Sequence, residues 1–173
     1  MQLEACSLMA QDHSFDIVSK INLQELRNAM QQAQKELATR FDFRGTSASI
    51  EFDEAGGTVK LGADHEAQLR SVRELVNGKL AKRGVAQNSL AWKEPEGLPG
   101  GTMKQQANLQ QGLTADKARD VVKVVKALGL KIQPRIDGDA VRVSGKQLDD
   151  LQVAVQALRG KDFGVPLQVE NYR

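Results

Sequence analysis

One order of elements runs twice along this chain, and the repetition limits its possible folds more than any other feature. From Phe15 to about Trp92 the sequence reads as strand, helix, strand, strand, helix, strand, and from about Met103 to Tyr172 the same order returns. Each pass holds a long helix, a hairpin of alternating polar and apolar residues, a second helix and a short closing strand. A βαββαβ order is the ferredoxin-like arrangement, an α+β class in which helices cover one face of a sheet. The other face is left open to bind something. A chain of 173 residues has room for two such small units in tandem.

Local signals place the elements. In Phe15-Asp-Ile-Val-Ser19, alternation puts Phe15 and Ile17 on one face. Asn22 is suited to cap a helix with Glu25 at its third position, and Leu23, Leu26, Met30, Ala33 and Leu37 recur at helical spacing. That helix ends near Arg40, ahead of Phe41-Asp-Phe-Arg44, in which Phe41 and Phe43 read as core. Ala48–Phe52 and Thr58–Leu61 alternate around a glycine-bearing loop at Asp53–Gly57. Leu69, Val72, Val76 and Leu80 mark a second helix, stopped at Arg83-Gly84. Leu90–Trp92 closes the pass. Pro95–Gly101 carries two prolines and three glycines and is expected to be a linker or an exposed loop.

The second pass opens on Lys104–Gln110, with Ala107 and Leu109 inward. Thr114 caps a helix carrying Ala118, Val121, Val122, Val125 and Leu128, ended by Gly129. Lys131–Ile136 and Ala140–Val143 form a hairpin across Asp137-Gly138, and Pro134 points to an edge or a bulge because it cannot donate to a ladder. Gly145–Leu158 is expected as the fourth helix, with Leu148, Leu151, Val155 and Leu158 inward. Leu167–Val169 is the last strand.

Composition narrows the function classes. The net charge of +2 does not by itself imply nucleic acid, and aromatic residues are only 4%. Cys6 is the single cysteine, so no internal disulfide forms and a reducing, cytoplasmic setting is expected. No apolar run approaches the ~18 residues a membrane span needs. Residues 1–13 lack periodicity and are expected to be a flexible N-terminal extension. Asp162-Phe-Gly164 spells a kinase tripeptide, but no glycine-rich phosphate loop or catalytic loop accompanies it, so it reads as a turn. His13 and His65 have no partners at metal-ligand spacing. The expectation is a protein with no catalytic residues, no metal and no cofactor: not an enzyme.

A set of motifs is more specific in combination. Ser14-Phe-Asp-Ile-Val-Ser19, Arg40-Phe-Asp-Phe-Arg44, Lys82-Arg-Gly84, Lys126–Gln133, Ile136-Asp-Gly-Asp139, Val141-Arg-Val-Ser-Gly-Lys146, Asp149-Asp-Leu151 and the tail from Arg159-Gly-Lys-Asp-Phe-Gly-Val-Pro166 to Asn171-Tyr-Arg173 together resemble the YajQ family of bacterial nucleotide-binding proteins. The resemblance runs from Ser14 to Arg173. It implies that the two units exchange their first strands. An N-terminal domain over 20–111, with strand 103–111, would lie beside a C-terminal domain over 112–173 that receives strand 14–19. It also implies nucleotide binding without catalysis. Cyclic di-GMP or a related nucleotide is the first ligand, a regulatory protein is a further partner, and RNA, transfer or ribosomal, is the alternative.

Alternation then nominates residues. If Ile132 and Ile136 face the helices, Lys131, Gln133 and Arg135 face away, and Arg142 does so between the inward Val141 and Val143. Gln168 lies beside them, and Asp16 joins them if the exchanged strand lies there, where it would accept from a guanine edge. The planar fork of arginine donates two parallel hydrogen bonds to phosphate and stacks on bases. A plain solvated strand face explains the same cations. A second basic group, Arg40, Arg44, Lys79, Lys82 and Arg83, gathers near two helix ends, where cations also answer the helix dipole.

Overall fold

A computed structural model describes residues 12–173. The extension expected over residues 1–13 lies outside it, except that Asp12 is placed and His13 opens the first strand. The order is β1 (His13–Val18), α1 (Leu23–Thr39), β2 (Ser49–Asp53), β3 (Thr58–Ala63), α2 (Glu66–Lys82), β4 (Leu90–Trp92), β5 (Glu96–Gly97), β6 (Met103–Leu109), α3 (Ala115–Ala127), β7 (Ile132–Asp137), β8 (Ala140–Gly145), α4 (Leu148–Arg159) and β9 (Gln168–Glu170). The chain divides into two compact units, one formed by Ile21–Gln111 and the other by the chain up to Lys20 together with Gly112–Arg173.

In the Ile21–Gln111 unit the strands run β2-β3-β6-β4, all antiparallel, with β5 pairing the far end of β6. Helix α1 starts where the Asn22 side chain accepts from Glu25 N–H at 3.2 Å, as its spacing predicts. Leu26, Met30 and Ala33 of α1, Leu69, Val72, Val76 and Leu80 of α2, and Val59, Leu61 and Ala107 from the sheet make the core. Leu23, expected inside, is largely exposed in the first turn of α1, and Ala29 takes a core place instead. Helix α2 is capped by the imidazole of His65, whose Nδ1 accepts from Gln68 N–H at 3.2 Å. The Pro95–Gly101 stretch is an exposed hairpin tip rather than a linker: Glu96 and Gly97 pair with Lys104 and Met103.

In the other unit the order is β7-β8-β1-β9, again antiparallel throughout. Phe15 and Ile17 of β1 lie opposite Val143 and Val141 of β8, and all four are essentially inaccessible. Val121 and Val125 of α3 and Leu151 and Val155 of α4 complete that core. Pro134 sits on β7, an edge strand, where its missing N–H leaves no gap in the ladder. The β7–β8 loop consists of Gly138 and Asp139, closed by the pair Asp137 and Ala140, with Gly138 at φ 62°. Asp162-Phe-Gly164 is indeed a turn: Asp162 accepts from Gly164 N–H at 2.8 Å, while Phe163 enters the core. Gly145 ends β8 instead of opening α4, and Leu148, at the true start of that helix, is exposed rather than inward.

Both sheets therefore have the ferredoxin-like strand order, but each takes its first strand from elsewhere in the chain. Strand β1 is central in the sheet otherwise built from residues beyond Gly112, and β6 is central in the sheet otherwise built before it. The Ile21–Gln111 unit is continuous in sequence and contains all its own strands. The other unit is interrupted, and Ser19 O accepts from Gly112 N–H at 2.8 Å where the chain leaves and returns. A fragment of residues 21–111 is thus expected to fold cooperatively alone, with dispersed amide resonances. Residues 112–173 should stay unfolded until a peptide covering residues 12–20 is added. Circular dichroism and NMR of the fragments check both outcomes.

Candidate functional site

The register of the β7-β8-β1-β9 sheet fixes which side chains share its open face. Arg135 of β7 lies directly opposite Arg142 of β8, Arg142 opposite Asp16 of β1, and Asp16 opposite Glu170 of β9. One row across the sheet therefore reads Arg, Arg, Asp, Glu. The next row places Gln133 opposite Ser144 and Ser144 opposite Ser14. Facing like charges on neighbouring strands destabilise a sheet unless something neutralises them.

Asp16 neutralises one of the two. Arg142 Nε donates to Asp16 Oδ1 at 2.8 Å and Nη2 to Oδ2 at 3.1 Å, a bidentate pair. Asn171 Nδ2 adds a third bond to Asp16 Oδ2 at 3.0 Å. Asn171 reaches it because it sits at φ 54°, a left-handed residue that makes a bulge: past it the chain resumes pairing as Arg173 with Ser14. The hydrogen bonds from Arg142 hold the Asp16 carboxyl below its ordinary value, against the opposing effect of burial, and Asn171 assists. Asp16 is 6% exposed, so it is a built-in anchor for Arg142 and differs from the freely accepting carboxylate that alternation suggested. The Arg142 side chain is still 52% exposed, its outer edge turned to solvent.

Lys131, Gln133 and Arg135 are exposed, and among the described residues neither Lys131 nor Arg135 makes an ion pair. At the end of this face lies an open depression of about 490 Å3 lined by Lys131, Gln133, Ser144, Lys146, Gln147 and Asp12, among others. Carrying the β7–β8 register one step beyond Ile132 and Gly145 places Lys131 opposite Lys146. Lys146 was missed because the fourth helix was expected to include it. Gln168 is occupied at the sheet's other side, donating to Lys20 O at 2.8 Å.

The second basic group is largely answered by carboxylates. Arg40 Nη2 lies 2.7 Å from Asp42 and the guanidinium also covers the Phe43 ring at 5.1 Å. Lys79 pairs with Glu36, and Arg83 lies 3.6 Å from Glu25. Among the described residues Arg44 and Lys82 have no such partner. Phe43 is core as expected, but Phe41 is 85% exposed. The short 3-10 turn at Phe41–Phe43 turns Phe43 into the hydrophobic core, and Arg40 lies over its ring.

The chain is a duplicated ferredoxin-like protein in which the open face of the β7-β8-β1-β9 sheet is polar and bears cations. Residues 13–173 match the model of a family described as nucleotide-binding protein YajQ-like. A nucleotide-binding protein from Solibacter usitatus is 46% identical over 162 residues, covering 94% of this chain and 98% of the relative. One from Carboxydothermus hydrogenoformans is 42% identical over 165 residues, covering 95% and 100%, and one from Koribacter versatilis is 43% identical over 162 residues, covering 94% and 98%. The chain belongs to the YajQ family. None of these relatives bears an enzyme's name. No helix among the described residues is long and apolar enough to cross a membrane.

The Asp16 clamp carries a pH signature. A carboxyl lowered in the folded state contributes stability that is fully present above its unfolded value and is lost as pH falls through the folded one. Asp16→Asn is therefore expected to lower stability by about 1–3 kcal/mol at pH 7. Urea melts of both proteins should show that gap closing below about pH 4, where the unfolded carboxyl titrates.

Proposed function

We propose that this chain is a non-catalytic nucleotide receptor that holds a phosphate-rich ligand, cyclic di-GMP or a related nucleotide, on the open face of the β7-β8-β1-β9 sheet. The observation that carries the reading is the opposed pair Arg135 and Arg142, of which Asp16 answers only one. A phosphate between them relieves the repulsion and accepts from both guanidinium groups. Arg142 is the fixed donor, oriented by Asp16. Arg135 is the mobile one, and Lys131 and Lys146 extend the positive field over the depression, where Gln133 and Ser144 offer neutral hydrogen bonds. The names of the curated relatives support the ligand class. On this reading the protein works in the cytoplasm, and the occupied face alters its contact with a regulatory protein.

Hydrogen bonds to charged groups contribute about 1.5–3 kcal/mol each, so Arg135→Glu and Arg142→Glu should each weaken cyclic di-GMP binding at least tenfold in calorimetry. Unchanged affinity in both variants would remove this face from consideration.

A second reading, association with RNA, draws on Phe41, an exposed ring beside the unpaired Arg44. Single strands stack bases on such rings and lay phosphates on nearby cations. Salt separates the two. Affinity for a single-stranded RNA oligomer that uses many phosphates should fall steeply between 50 and 200 mM salt, about 300-fold for six contacts, whereas a small nucleotide should respond mildly.

A further inference from the structure

The sheet of the Ile21–Gln111 unit has an open face of different chemistry. Its register sets Glu51 of β2 opposite Lys60 of β3, and Lys60 opposite Gln106 of β6. One step along, Ser49, Gly62 and Lys104 form the next row. A cavity of about 280 Å3 lies over Glu51, Lys60, Gly62 and Lys104, with Leu98 and Thr102 of the β5–β6 hairpin at its side.

Three features of this cavity are unused by the fold. Glu51 and Lys60 are exposed and directly opposed, yet among the described residues neither makes an ion pair, while Lys104 is held by Glu96 at 3.2 Å. Gly62 has no side chain of its own on the floor, and the Ser49 hydroxyl leans over it: a Cβ there would come within 2.6 Å of Ser49 Oγ. Leu98 is 39% exposed at the cavity's side and is not loose, since its N–H donates to Thr102 O at 2.7 Å and its carbonyl accepts from Gly101 N–H at 3.1 Å.

A free carboxylate and a free ammonium side by side call for a ligand edge that donates to the first and accepts from the second. The low floor, with no side chain at Gly62 and only the Ser49 hydroxyl over it, and the apolar wall at Leu98 suit the edge and face of a ring. An amino acid zwitterion answers the charges but makes no use of the floor or of Leu98. Guanine, a 2-amino-6-oxopurine, answers all three: its N1–H and 2-amino group donate to Glu51, and its O6 accepts from Lys60. Adenine reverses the edge, setting a ring-nitrogen acceptor against the carboxylate and an amino donor against the ammonium. We propose that the open face of the Ile21–Gln111 unit is a base-reading site for guanine, formed by Glu51 and Lys60 over Gly62 and walled by Leu98. The site is independent of the cationic face on the other unit.

Guanosine tests it, because it has no phosphate and gains nothing from the arginines. Titrated into the full chain and followed by amide NMR, guanosine should saturate with shifts centred on Glu51, Lys60 and Gly62. Inosine, lacking the 2-amino donor, should bind more weakly, and adenosine should not compete. Glu51→Gln and Lys60→Met should each weaken guanosine about tenfold. Both positions are exposed, and circular dichroism verifies that the variants keep their fold. Arg135→Glu should leave guanosine binding unchanged, even where it abolishes nucleotide binding through phosphate. Absence of saturable shifts, equal binding of adenosine, or full affinity in both variants overturns the proposal. So does binding that survives Glu51→Gln but is lost in Arg135→Glu, which would place the base on the other sheet.

Discussion

The burial of β1 between β8 and β9 is the constraint on which the rest of its unit depends. Phe15 and Ile17 fill the space under Val143 and Val141, and fully burying a side chain of that size is worth about 1.5–3 kcal/mol. Without β1, two strands would face each other with unpaired edges and the helices would cover an open core. The same strand brings chemistry with it. Because side chains alternate along a strand, anchoring Phe15 and Ile17 inward turns Asp16 toward the other face and into the reach of Arg142. One act of packing thus sets both the core and the charge row.

That face combines one cation held by a carboxylate with others that have no such partner among the described residues. Arg142 has already given up rotamer freedom to the bidentate bond with Asp16, so a ligand that meets its outer edge does not bear that ordering cost. Arg135 and Lys131, which make no ion pair among the described residues, keep theirs. The Ile21–Gln111 unit uses the same architecture with amides, hydroxyls and opposed pairs of opposite charge, Glu51 with Lys60 and Glu96 with Lys104, on its open face. The duplicated frame therefore presents two open faces of different chemistry.

What was legible in the sequence follows how local each cause is. Asn22 and Thr114 cap the helices their spacing announces, and Gly138 turns the hairpin it should, because each acts on residues within a few positions. The exchange of strands came only from the family resemblance, since nothing within either pass tells which sheet a strand enters. The Asp16–Arg142 pair joins residues 126 positions apart, so alternation could place both on one face without showing that they touch. Leu148 failed for a boundary reason: apolar spacing ran the helix back to Gly145, while backbone pairing with Ile132 kept that glycine in β8. Phe41 and Phe43 are indistinguishable by composition, and the path of the short turn that carries them sets which ring enters the core. His65 was overlooked as a cap because imidazole accepts there only when neutral, an uncommon use of the residue.

The interrupted unit also has a consequence for how the protein is made. Strand β1 leaves the ribosome early, yet the strands that shelter Phe15 and Ile17 are among the last to appear. At roughly 5–20 residues per second, the 126 positions between Asp16 and Arg142 take about 6–25 s to synthesise. The intervening unit, complete in itself, can assemble on the nascent chain during that wait. Throughout that time Phe15 and Ile17 have no core to enter, and the charged Asp12 and Lys20 flank the waiting strand.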